Sequence, residues 1–157
     1  MLHIVMYHYV RDLPRTRFPR IKGMLLDDFE QQVRALAAEF EMASLESALA
    51  YLDGRYHPRR EMCLLTFDDG LKEHYAEVTP ILSGLGIQGI FHIITGCLEE
   101  RMVAPVRQNH FLMAALDFEE YRGAFLGRLG ELDPAAWALA ATVKPEAARA
   151  TYAWDTL

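Results

Sequence analysis

The sequence predicts an α/β fold, with parallel strands alternating with helices over its first part and helices alone after that. Three observations predict it. Residues 62–67 are apolar at both parities, the pattern of a strand buried on both faces, and they run directly into Asp68, Asp69 and Gly70. Strand-like and helix-like stretches alternate on either side of this run, the rhythm of right-handed βαβ units. Beyond about residue 97 the strand signal stops.

The totals set the bounds. At 157 residues the chain is one domain by size, and 52% hydrophobic residues suffice for a real core. A net charge of −6 argues against nucleic acid as a partner and against an anionic membrane surface. No apolar run approaches the ~20 residues needed to span a bilayer. The opening Met1-Leu2-His3-Ile4 lacks the basic and long apolar regions of a secretory signal, so a cytoplasmic location is expected. Cys63 and Cys97 lie far apart in apolar context and are expected to be reduced core residues.

In chain order, residues 2–9 form a short strand. His3 and His8 are an odd number apart, so on a strand they face opposite ways and cannot share a metal. His8 falls at the carboxyl end, where it lines a site there or sits hydrogen-bonded under the next loop. Pro14, Pro19 and Gly23 among arginines mark residues 11–24 as a solvated loop. Asp27 or Asp28 opens a helix with Phe29, Val33, Leu36 and Phe40 on one stripe. Glu41–Ala43 is brief enough for a short strand, and Ser44 caps a second helix running to Leu52. After Gly70 a helix from Leu71 to Ser83 turns Tyr75, Val78, Ile81, Leu82 and Leu85 inward, with Pro80 kinking or restarting it. Gly89–Ile94 is the next strand, with His92 in apolar company and expected to be a core histidine. Helices are expected over 105–116, 118–129, 134–143 and 146–154. The expected division is 1–97 for the strand-bearing part and 98–157 for the helical segment. His110 falls on a helix face and is not expected to be a ligand.

The chemistry concentrates at Asp68-Asp69-Gly70. Two carboxylates at the end of a parallel strand lie where such sheets bind ligands and metals. Their mutual repulsion is relieved by a bound cation or a raised pKa. A plain strand-to-helix turn with a capping acid accounts for the same residues equally well.

Thr66-Phe67-Asp68-Asp69-Gly70 resembles the first motif of the NodB-homology polysaccharide deacetylases. Met6-Tyr7-His8-Tyr9-Val10 and the stretch from Gly86-Ile87 to Phe91-His92-Ile93-Ile94-Thr95 fit the flanking strands of that family, so the resemblance covers roughly residues 1–120. It implies part of a deformed (β/α) barrel and a metal-dependent hydrolase that removes N-acetyl or O-acetyl groups from a polysaccharide or amino sugar. Asp68 would be the general base, Asp69 a ligand of a divalent metal such as Zn²⁺, and Gly70 and His8 would line the site.

The resemblance also implies a second motif of two histidines about four apart. The six histidines, at 3, 8, 57, 74, 92 and 110, contain no such step. A hydrolytic metal takes about three protein ligands and an open position. Full β/α barrels typically run to ~250 residues. The chain is therefore expected to be the N-terminal part of a longer deacetylase, with residues 98–157 as a helical insertion. Its last helices are then expected to expose an apolar face, or to cover it in a homo-oligomer. The rivals are a catalytically inactive homologue or binding fragment, and a Mg²⁺-dependent phosphoryl-transfer protein. The latter needs a lysine at a later strand end; Lys72 lies on the wrong side of the turn and Lys144 in helical sequence.

Overall fold

The structure is a computed structural model and describes residues 1–142. The expected helix over 146–154 lies outside them. The chain divides into two compact units, Met1–Gln108 and a second that begins at Asn109.

The first unit is a parallel α/β layer built on β3 (Met62–Phe67), all six residues of which are buried. β1 (Leu2–Tyr7) pairs parallel along one edge of β3. The other edge is shared by β2 (Glu41–Met42) at the start of β3 and β4 (Gly89–Phe91) at its end. Residues of both parities are apolar because both faces of β3 are covered. One face carries Cys63, Leu65 and Phe67 into a core with Tyr7, Phe29, Val33, Val78 and Leu82. The other buries Met62 and Leu64 against Ala43 and Ala48.

The helices largely follow the periodicity. α1 (Leu26–Glu39) buries Phe29 and Val33, but Leu25 is its N-cap; Asp27 and Asp28 lie in the first turn, where they favour the helix dipole without capping it. At its other end the Arg60 guanidinium donates to the Ala38, Glu39 and Phe40 carbonyls, partners the last turn cannot supply. α2 (Leu45–Leu52) starts at Ser44, whose side chain forms a capping box with Ser47.

Two expectations fail, each for a physical reason. The first concerns the phase of the helix after Gly70, which restarts at Thr79-Pro80. A π-turn over His74–Val78 precedes α3 (Thr79–Gly84), and the Thr79 N–H and hydroxyl both bond the His74 carbonyl. Pro80 cannot donate to Ala76, and a wider turn accommodates that missing bond. The extra residue shifts the helical phase. Tyr75 is therefore 85% exposed, and His74 is buried in its place.

The second concerns residues 11–24, which are not a purely solvated loop. Val10 and Met24 bridge in parallel, Ile21 is buried, and Arg11 is buried in an ion pair with Glu73. A paired guanidinium is tolerated inside where a lone one is not.

Burial holds the His74 pKa below its usual 6.5, although the hydrogen bond to the His8 carbonyl pulls the other way. The carbonyl can only accept, so Nε2 carries the proton. Nδ1 is then the basic nitrogen, and it is buried with no hydrogen-bond partner among the described residues. Below its usual pKa the unfolded chain protonates before the folded one, so this contribution to stability is present above pH 6.5 and drains away as the pH falls below it. Urea unfolding at neutral pH and at about pH 5 should show the loss, and His74→Gln should flatten it. An unchanged slope in the variant would contradict the assignment.

The helices after β4 are α4 (Thr95–Glu99), which the sequence did not announce, α5 (Pro105–Ala115), α6 (Phe118–Leu132) and α7 (Pro134–Ala141). Asp117 caps α6 through a box with Glu120, and Asp133 caps α7 ahead of Pro134. Within the second unit Phe118, Phe125, Leu132, Trp137 and Leu139 are exposed. Among the described residues no helix is long and apolar enough to cross a membrane.

Candidate active site

Parallel register assembles the site. Tyr7 and Phe91 both lie level with Phe67 across β1, β3 and β4. Their rings stack in a row, with centroids 5.2 Å apart between Tyr7 and Phe67 and 4.8 Å between Phe67 and Phe91. The next residue on each strand is polar: His8, Asp68 and His92. Because successive side chains on a strand alternate faces, this polar row leaves the aromatic core and lies at the carboxyl ends of the strands. The Asp68 N–H bonds the Tyr7 carbonyl at 2.9 Å and the His92 N–H bonds the Phe67 carbonyl at 2.8 Å, so the sheet still fixes the row.

His92 donates from Nδ1 to Asp68 Oδ1 at 2.7 Å, and His8 Nε2 approaches Asp68 Oδ2 at 4.0 Å. Each carboxylate oxygen thus faces one imidazole. The His92 side chain is 59% exposed. His92 is therefore not the core histidine the sequence suggested. β4 ends at Phe91, three residues before the predicted end, so His92 emerges at the rim. His8 stands beside Asp68 at the end of β1, and His74 Nε2 donates to the His8 carbonyl at 2.8 Å.

Asp69 takes no part in that row. It adopts a left-handed backbone with φ 81°, and Gly70 follows at φ 58°. An aspartate tolerates this region better than most side chains, and glycine has no Cβ to clash there. At Gly70 a Cβ would also sit 2.7 Å from Ile93 Cγ2. This turn directs Asp69 toward Arg107, in the first turn of α5. The guanidinium donates to the Asp69 carbonyl and lies 3.5 Å from Asp69 Oδ2. Asp69, Gly70 and Arg107 line one side of a cavity of about 200 Å³, walled by Ile93, Ile94 and Cys97. Cys97 thus sits at a cavity on α4 and not in a strand, whereas Cys63 is buried in the core and burial raises its thiol pKa.

Two solved structures share the fold of part of this chain. A de-N-acetylase from Aggregatibacter actinomycetemcomitans is 19% identical, with a TM-score of 0.54 over 62% of this chain and 39% of its own. The deacetylase PplD of Streptococcus pyogenes, solved with acetate, is 22% identical, with a TM-score of 0.52 over 73% of this chain and 51% of its own. The chain has the α/β fold of part of these two proteins, with a parallel four-stranded sheet. IcaB from Ammonifex degensii is a third match, 30% identical over 61% of this chain and 41% of its own, with a TM-score of 0.49. The chain spans about half the length of these proteins or less. No protein-family profile and no curated protein sequence matches it.

The deacetylase resemblance implies a divalent metal at Asp69. Among the described residues no group of three histidine, cysteine or acidic side chains is placed to hold one. The Asp69 carboxylate faces a guanidinium, and the imidazoles of the rim face Asp68. This donor set does not fit a hydrolytic zinc centre, which takes three protein ligands and an open position.

Proposed function

We propose that the chain is a deacetylase-type hydrolase part whose substrate is an N-acetylated, or O-acetylated, sugar or polysaccharide, with Asp68 as the group that accepts the proton. One observation carries the reading: the Asp68 carboxylate stands at the carboxyl end of the central parallel strand, hydrogen-bonded to the His92 imidazole on one oxygen and with the His8 imidazole 4.0 Å from the other. Proton transfer in acyl hydrolysis needs a base held in place and within reach of water. Asp68 is held by the sheet through its N–H and by His92 through its side chain. His92 donates its Nδ1–H to Oδ1 and so positions Asp68, leaving Oδ2 to accept the proton.

The zinc of the resemblance belongs to this proposal only in a state where Arg107 has left Asp69 and further donors join from outside residues 1–142. None of the steps assigned to Asp68 and His92 runs through it. Arg107 also favours a second reading, in which the rim binds an acetylated sugar without hydrolysing it.

Acetate release from N-acetylglucosamine oligomers, assayed with zinc supplied, separates the two readings. Release above the uncatalysed background is the expected result. Saturable oligomer binding with no release would overturn hydrolysis in favour of the binding reading.

A further inference from the structure

We propose that Arg107 is a built-in counter-charge for Asp69 and keeps divalent cations off that carboxylate. The inference rests on the reading of Asp69 as the acid that would face a metal, and it explains why the donor set does not fit one.

Two carboxylates in adjacent positions repel each other, and a nearby cation relieves this. Asp68 accepts the His92 N–H, and Asp69 faces the guanidinium. Arg107 cannot be discharged at any ordinary pH, so unlike a histidine it never becomes a neutral donor for a metal. Its side chain is 12% exposed, and Nε is buried with no hydrogen-bond partner among the described residues. It therefore sits in the wall of the Asp69 cavity and is not a surface arginine resting against the rim.

The same guanidinium donates to the Asp69 carbonyl, on the far side of the left-handed turn. Arg107 thus clasps both ends of one residue, its backbone oxygen and its carboxylate. A metal ion approaching Asp69 would meet a fixed positive charge about 3.5 Å from its own ligand atom. Repulsion between two cations at that separation is several times RT at the dielectric of a protein surface. The ion can bind there only if the clasp opens.

Titration of the chain with zinc alone, followed by calorimetry, tests this. In the wild type Asp69→Asn should change zinc affinity by less than about 2-fold, since Arg107 already occupies that carboxylate. Arg107→Gln keeps an N–H for the Asp69 carbonyl but removes the charge, and it should tighten zinc binding by about 10-fold or more. That gain should vanish when Asp69→Asn is added. Arg107→Lys keeps the charge and should behave as wild type.

Gln and Lys variants with equal affinity would overturn the proposal, leaving Arg107 as a clasp for the turn alone. A large loss of zinc affinity on Asp69→Asn in the wild type would also overturn it, and that arm needs no change at Arg107. Circular dichroism on each variant confirms the fold. Acetate release plays no part in these readouts, so a failure here is separate from a failure of the hydrolase reading.

Discussion

Phe67→Ala will destabilise the fold by about 3–5 kcal/mol, the range of a large aromatic deletion in a close-packed core. The Phe67 side chain has no exposed surface and stacks on Tyr7 and Phe91. It also meets Phe29 edge-on at 5.9 Å and His74 at 5.5 Å, joining the sheet to α1 and to the π-turn. The rings stack face to face across neighbouring strands, so their neighbours cannot collapse into the space without shifting β1 or β4. A domain of this size is stable by only about 5–15 kcal/mol, so the loss is a large share of the total. Urea unfolding should show a lower midpoint with an unchanged slope. A loss below about 1.5 kcal/mol, typical of a well-tolerated core swap, would mean that the row is not the packing centre.

Asp68→Asn is the second large effect, this time on chemistry. The amide keeps the size of the carboxylate and its place at the end of β3. It cannot take a proton, and it presents one oxygen where the carboxylate presents two. One of the two imidazole contacts is therefore lost or reversed, at His92 or at His8. Removing a positioned general base typically lowers the rate by about 10²–10⁴-fold. Acetate release should fall by that factor with stability nearly unchanged, because the Asp68 side chain is part-exposed at the end of β3 and the amide keeps its size. Equal release from both proteins would remove Asp68 from the mechanism. His92→Gln should give a smaller loss than Asp68→Asn, since His92 acts through Asp68.

Much of this could be read before any coordinates. Met62–Phe67 stood out because a strand buried on both faces has no polar parity, and its bounds are as read. α1, β2 and α2 followed from an apolar stripe and a serine cap. The phase of the helix after Gly70 was misread because a π-turn adds one residue that no apolar spacing announces.

His92 was misread for a different reason. Ile93 and Ile94 suggested that the strand continued, yet both are exposed in the structure. The signal that would have found it was present in the chain. Tyr7-His8, Phe67-Asp68 and Phe91-His92 each place an aromatic residue before a polar one at a strand end. Parallel register turns those three pairs into one core row and one site row. Arg107 carried no such signal: it reaches Asp69 from 38 residues away, through a helix whose placement depends on tertiary packing.

The central claim is that an acetylated sugar meets the protein at the His8–Asp68–His92 row. The most direct test is a nitrogen-15 NMR titration of the chain with an N-acetylglucosamine oligomer. The account predicts the largest shifts at the backbone amides of Asp68, Asp69 and Gly70 and at the imidazoles of His8 and His92. It is contradicted if those signals stay fixed, or if the shifts gather at the separate hollow beside Asp12, Arg15 and Leu25.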